Sequence, residues 1–216
     1  MDALRHVCDT ATSTLAASGA GLSVMAGNGV HGMATASDAA TERVEELQFT
    51  IGEGPCVDAF ATRRPVLISD LGHDAMRRWP LYGPAVHDAG VRGVFSFPMQ
   101  VGAARLGVLD VFRSHAGALT AMELARALTL ADLAVVVLLD GQEHAAPGAA
   151  AESVSGGVER RAELFQAQGM VMIQIGGTLA EAMTRIRAHA YAEDRRLGDV
   201  ATDVLAHRLR FGRDHP

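Results

Sequence analysis

The feature that most constrains this chain is a seam. Residues 141–157 read GQEHAAPGAAAESVSGG, small and polar, and punctuated by Pro147, Gly148, Gly156 and Gly157. Such a stretch buries little and bends easily, so it marks a connection between folding units rather than part of a core. It divides the 216 residues into a first unit over 1–140, a linker over 141–157 and a second unit over 158–216. Charge divides at nearly the same place. Residues 1–158 hold 10 Arg against 17 Asp and Glu, a net of −7, whereas residues 159–216 hold 9 Arg against 8, a net of +1. An acidic first unit repels polyanions, which leaves the second as the one able to approach nucleic acid. Every Lys-or-Arg position is arginine, so each permanent cation is a planar fork that can stack or grip phosphate with two bonds.

Several function classes fall away on pattern alone. No apolar run reaches the roughly 18 residues that span a bilayer. The longest, Leu133–Leu139, lies between Asp132 and Asp140 and reads as a buried helix. The start, Met1-Asp2-Ala3-Leu4-Arg5, has no basic region leading into an apolar stretch, so no secretion signal is read there. Two cysteines, Cys8 and Cys56, argue against a disulfide framework and against a cysteine-rich zinc site. The expectation is a cytoplasmic protein without membrane contact. There is no glycine-rich phosphate loop, no Gly-x-Ser-x-Gly elbow and no His-Glu-x-x-His. Glu45 and Glu46 are adjacent, so on a helix they do not converge on one face. We therefore expect no enzyme, and assign no catalytic residue and no metal ligand.

The first unit alternates helix and strand. Asp2–Ser18 spaces Leu4, Val7, Cys8, Ala11 and Leu15 by threes and fours, as a helix requires. Gly21–Ala26 and Val30–Thr35 read as strands around Gly27-Asn28-Gly29, a hairpin signal. Gly54–Thr62 suits a short helix with Pro55 in its first turn. Pro65–Ser69 reads as a strand and Gly83–Asp88 as a helix. Val94–Val101 and Arg105–Phe112 form a second hairpin. Thr120–Asp140 reads as a long helix opened by a capping box from Thr120 and Glu123. This order, with Gly52-Glu53-Gly54-Pro55-Cys56, Arg64-Pro65-Val66-Leu67-Ile68-Ser69-Asp70, Phe97-Pro98-Met99 and Leu106-Gly107-Val108-Leu109, resembles the GAF domains of actinobacterial regulators over about residues 1–140. The resemblance implies an α+β sensor, an antiparallel sheet flanked by helices.

The second unit reads as three helices. Val158–Ile175 carries Val158, Ala162, Phe165, Gly169 and Met172 on one stripe and ends at Gly176-Gly177. Thr178 and Glu181 form a capping box for the next, whose stripe is Leu179, Ala182, Met183, Ile186 and Ala190. The third begins near Leu197 and groups Leu197, Val200, Ala201, Val204 and Leu205. Ala167-Gln168-Gly169-Met170-Val171-Met172, Glu181-Ala182, Arg185-Ile186-Arg187-Ala188-His189-Ala190 and Leu197-Gly198-Asp199-Val200-Ala201 look like the ANTAR pattern, matched without a gap over about 160–205. That resemblance implies a small all-α antiterminator module that binds RNA stem-loops in nascent transcripts, usually as a homodimer. Gln168 and Gln174 stand where many members carry a basic residue. They keep open an interaction or stress-signalling adaptor that has lost RNA binding, and the three-helix shape alone leaves a DNA-binding regulator open.

Residue chemistry supplies the candidate contacts. RNA readers stack bases on aromatic or guanidinium planes and hold phosphates with arginine. Arg187, Tyr191, Arg195 and Arg196 make the main strip, with Arg185 and His189 as secondary candidates. For the sensor, the resemblance implies a pocket between the sheet and the variable middle segment. Phe49, Cys56, Trp79, Tyr82, Phe95 and Phe97 are its candidates, and each fits plain core packing equally well. A small molecule, a chromophore, haem or no ligand at all stays open, with His73 and His87 on either side of Trp79 as conceivable haem ligands. No cofactor is assigned.

Overall fold

The computed structural model describes residues 2–25, 31–143 and 155–212. The chain begins with α1 (Asp2–Thr14), β1 (Gly19–Met25), β2 (His31–Ala36), α2 (Ala39–Ile51) and α3 (Pro55–Thr62). Next come β3 (Val66–Ile68), α4 (His73–Arg78), α5 (Tyr82–Asp88), β4 (Gly93–Val101), β5 (Ala104–Arg113) and α6 (Ala121–Glu143). Three more helices complete it: α7 (Ser155–Ile175), α8 (Leu179–Ala192) and α9 (Leu197–Leu205). The strands form one antiparallel five-stranded sheet in the order β2-β1-β5-β4-β3. No helix among the described residues is long and apolar enough to cross a membrane.

Side chains alternate across a pleated sheet, and here both faces are covered. Ala20, Leu22, Phe95, Phe97, Met99, Leu109 and Val111 face a core shared with Val7, Cys8, Ala11 and Leu15 of α1 and Ala127, Leu130, Ala131 and Ala134 of α6. Met25, Val94, Val108 and Phe112 face the other way, into a core shared with α2, α3, α4 and α5. That second core continues into the C-terminal helices through Leu164, Ala167, Val171, Ile186 and Val200. Full burial of a side chain such as Phe97 or Ile186 stabilises by about 1.5–3 kcal/mol.

Caps define the helix ends. Thr120 and Glu123 exchange hydrogen bonds at the start of α6, with Thr120 N–H donating to Glu123 at 2.7 Å and Glu123 N–H to Thr120 Oγ1 at 3.2 Å. Thr178 and Glu181 do the same for α8. Gly176, at φ +68, ends α7, and Gly177 N–H donates back to Met172 at 3.2 Å. These match the sequence expectations. The turn Gly27-Asn28-Gly29 lies outside the described residues, as does most of the expected linker.

Two helices, α2 and α4, are absent from the sequence expectation. Helix α2 escapes it because its inward positions include Thr41, Glu45 and Gln48, all buried, so no apolar stripe shows. It starts instead on a cap: Asp38 Oδ1 accepts from the N–H groups of Ala40 and Thr41 at 2.8 and 2.9 Å. The stripe expected on α7 is rotated. Ala162 is exposed, and the buried set is Leu164, Ala167, Gln168 and Val171. Apolar residues occur on more than one side of this helix, and the buried Gln168 interrupts the true stripe. On α8, Leu179 is exposed while Ala182, Met183, Ile186 and Ala190 are buried as expected.

Candidate functional site

The segment Gly52-Glu53-Gly54-Pro55-Cys56 builds a corner, one residue at a time. Gly52 ends α2 in the left-handed region at φ +83, its N–H donating to Gln48 at 2.9 Å. Glu53 turns away to cap α5, its Oε1 accepting from Leu81 and Tyr82 N–H at 2.7 and 2.9 Å. Gly54 has φ +141, and a Cβ there would lie 2.5 Å from Gln48 Oε1, so both backbone and space demand glycine. Pro55 opens α3. Cys56 N–H, a donor without a partner inside α3, donates to Gln48 Oε1 at 2.8 Å.

Behind this corner lies a polar cluster sealed in the core. One row across the sheet reads Gly21, Asp110, Ser96 on β1, β5 and β4. Because Gly21 lacks a side chain, Glu45 of α2 can reach down; a Cβ on Gly21 would lie 2.7 Å from Glu45 Cγ. Ser96 donates to Asp110, and Ser23 to Glu45 Oε2 at 3.1 Å. The Cys56 thiol lies 3.9 Å from Met25 Sδ. One ligand atom each of Glu45, Cys56 and Asp110 falls within 4.8 Å of the others. Glu45 Oε1, Asp110 Oδ2, Gln48 Nε2 and the Tyr82 hydroxyl are buried there without a hydrogen-bond partner.

Burial sets the protonation of this cluster. Loss of water raises the Glu45 carboxyl well above its ordinary value, and the neighbouring Asp110 charge raises it further. Burial also raises Asp110, while the polar groups beside it, first Ser96 and then Glu45, Cys56 and Gln48, favour its charged form and hold the rise back. The Cys56 thiol and Tyr82 phenol are pushed up by burial and then by Asp110 and Glu45. Cys56 is therefore a thiol with no route to solvent, unsuited to reach a surface partner as a nucleophile.

The six expected pocket residues do not share one lining. Cys56, Tyr82, Phe49 and Trp79 belong to the core beneath α2 and α3, with Cys56 and Tyr82 at the cluster. Phe95 and Phe97 project to the opposite side of the sheet, against α1 and α6. Residues two apart on a strand share a face, but the sequence does not say which face that is. Trp79 is covered by the Arg78 guanidinium at 4.7 Å, itself paired with Asp58 at 2.6 Å. His87 lies half-buried; the side chain of His73 falls outside the described ones. Sequence reasoning missed Glu45, Gln48, Ser23, Ser96 and Asp110. Asp110 alone left a signal, as a carboxylate interrupting the apolar run Leu106–Phe112.

Of the six expected RNA contacts, Tyr191, Arg195 and Arg196 come together, on a corner that faces the first unit, while Arg187, Arg185 and His189 do not join them. Arg196 bridges to Glu42 at 3.4 Å and Glu46 at 3.2 Å, both on α2. Arg187 is turned inward toward Gly52, where a Cβ would meet its Nη1 at 2.9 Å. Its buried Nε has no partner, and burial lowers its pKa from the usual arginine range. Arg195 pairs with Asp203 at 2.6 Å, and Arg208 reaches the same carboxylate at 2.7 Å. Arg185 donates to Gly212 O at 3.3 Å, and His189 meets Phe211 edge-to-face at 5.7 Å. Tyr191 is 51% exposed. It lines a cleft of about 780 Å³ with Arg195, Arg196, Arg43 and Glu46, between α2 and the α8–α9 turn. The glutamines have structural partners: Gln168 Nε2 donates to Leu179 O at 2.7 Å, and Gln174 Oε1 accepts from Phe211 N–H at 2.9 Å.

Comparison with known proteins bears on the first unit. No curated protein sequence matches the chain. Among solved structures, a domain of a Sinorhizobium meliloti 1021 protein named for a two-component sensor histidine kinase superposes with TM-score 0.54 at 14% identity, covering 66% of this chain and 92% of that one. The GAF domain from a Coxiella burnetii phosphoenolpyruvate-protein phosphotransferase superposes with TM-score 0.54 at 19% identity, covering 66% and 83%. At such identities the likeness speaks for fold alone. The family profile described as GAF domain matches residues 2–139, more than half of the chain. Together with a five-stranded antiparallel sheet covered on both faces by helices, that match settles the lineage: the chain belongs to the GAF domain family.

Proposed function

We propose that this GAF protein is a signal-responsive antitermination regulator whose C-terminal helices, an ANTAR-like module, bind RNA stem-loops in nascent transcripts. One observation carries the reading. The arginine suited to gripping phosphate, Arg196, is held by two carboxylates of the sensor, Glu42 and Glu46. Carboxylates there occupy the place that RNA phosphates would take, so docking and RNA binding compete for one cation. Arg195 and Tyr191 line the same cleft, which supplies a second fork and a stacking plane. A signal that shifts α2 releases the corner; without it the module stays docked.

The test combines two measurements. Crosslinking in cells with sequencing of bound transcripts is expected to enrich hairpins ahead of terminators. In vitro, Glu42→Gln with Glu46→Gln is expected to tighten binding to such a hairpin by about three- to tenfold, since two exposed ion pairs contribute up to about 1 kcal/mol each. Equal affinity for stem-loops and duplex DNA in both forms of the protein would refute the reading.

A second reading, an adaptor that has lost RNA binding, is favoured by Gln168 and Gln174. Their amides are engaged with Leu179 and Phe211 inside the module. It predicts intact folding of the module and no hairpin enrichment.

A further inference from the structure

The sealed cluster of the sensor has more polar atoms than its hydrogen bonds satisfy. Glu45 comes from α2, Cys56 from α3 and Asp110 from β5, and all three are fully buried. Each carboxyl has one oxygen held, by Ser23 or Ser96, and one oxygen open. The open oxygens do not stand alone. The Tyr82 hydroxyl and Gln48 Nε2, also fully buried, are likewise unpartnered. Geometry puts them in the same core: Gln48 accepts from Cys56 N–H at 2.8 Å, and Tyr82 packs in the cluster that holds Cys56. Buried polar atoms are rarely left open, and several orphans at one point mark a missing partner.

A shared proton is the smallest such partner. It joins one carboxyl oxygen to another and gives the Tyr82 phenol no role. A cation accounts for the convergence of sulfur with two carboxylates. We infer that Glu45, Cys56 and Asp110 are the ligands of one divalent transition-metal ion bound inside the GAF domain. One thiolate with two carboxylates suits zinc, cobalt or ferrous iron. Calcium and magnesium take oxygen alone. Ligands held at about 2.0–2.3 Å from a tetrahedral ion stand about 3.3–3.8 Å apart. The present separations, within 4.8 Å, close to that by small side-chain rotations. Binding ionises the thiol and both carboxyls and releases their protons to water. The ligands then exceed the ion's charge by one. The hydroxyls of Ser23 and Ser96 already donate to the two carboxyls, and the Tyr82 phenol and Gln48 amide are spare donors for the remainder.

The full chain is expressed with cobalt or zinc in the medium, because the site is closed to the surface of the folded protein. Metal is counted by plasma mass spectrometry, and the cobalt form is examined for thiolate-to-metal charge-transfer absorption. The expected result is about one ion per chain, with the absorption present. Cys8→Ser retains both, which assigns the sulfur to Cys56, since the chain holds two cysteines. Cys56→Ser and Asp110→Asn, checked for folding by circular dichroism, lower metal content about tenfold or more. A folded wild-type chain that carries no metal and no such absorption after growth in either metal overturns the inference and leaves a shared proton. Metal content unchanged in folded Cys56→Ser overturns it as well.

Discussion

Asp38 shows how much a single residue does here. Its side chain closes the amino end of α2, accepting from Ala40 and Thr41 N–H and from the Thr41 and Ser37 hydroxyls. Burial alone would raise its carboxyl, but these bonds, led by Thr41 N–H, outweigh it and hold the pKa below the ordinary value. A lowered folded pKa stabilises the native state above the unfolded value of about 4, and that stability is lost as pH falls through the folded value. Asp38→Ala should therefore cost about 1 kcal/mol at neutral pH. The urea-midpoint difference between the two proteins should shrink below about pH 4. A difference independent of pH would mean that the charge of Asp38 contributes nothing.

At the scale of elements, α6 poses the plainest question. Its inner side buries Ala127, Leu130, Ala131, Ala134 and Leu138, yet Met122, Leu128, Leu133, Val136 and Leu139 are exposed. A helix apolar on both sides calls for burial on both sides. The homodimer that the ANTAR resemblance implies would cover such a stripe, since identical stripes are self-complementary about a two-fold axis. On that expectation Leu133→Glu with Val136→Glu halves the mass seen by light scattering, and an unchanged mass removes this stripe from any dimer contact. Elements also decide what the sequence reveals. Helices α3, α6, α8 and α9 are legible because Pro55, Thr120, Thr178 and regular apolar spacing announce them. Helix α2 is silent because the residues it turns inward, Thr41, Glu45 and Gln48, look like surface residues. The cluster is hidden for the same reason: its members lie far apart in the chain, and three of them sit on an element that periodicity cannot find or at the very corner that ends it.

For the molecule as a whole, the seam in the sequence does not carry through to the core. Val171, Ile186 and Val200 of the C-terminal helices join the same buried cluster as Phe49, Trp79 and Tyr82. Two units sharing one core lose it together. Trp79, the single tryptophan of the chain, reports the sensor, whereas far-ultraviolet circular dichroism is weighted by all the helices. Their urea transitions should coincide. Separate midpoints would show that the shared core does not couple the units. The position of α2 gives this coupling a direction. Glu42 and Glu46 extend outward to Arg196, while Glu45 and Gln48, set between them and one turn on, extend inward to Asp110 and Cys56. A rigid rod gripped on opposite sides behaves as a lever with no intermediate gearing. A roll of a few degrees, too small to disturb the sheet, would loosen one grip as it tightened the other, so interior chemistry and the arginine at the surface would answer to a single motion.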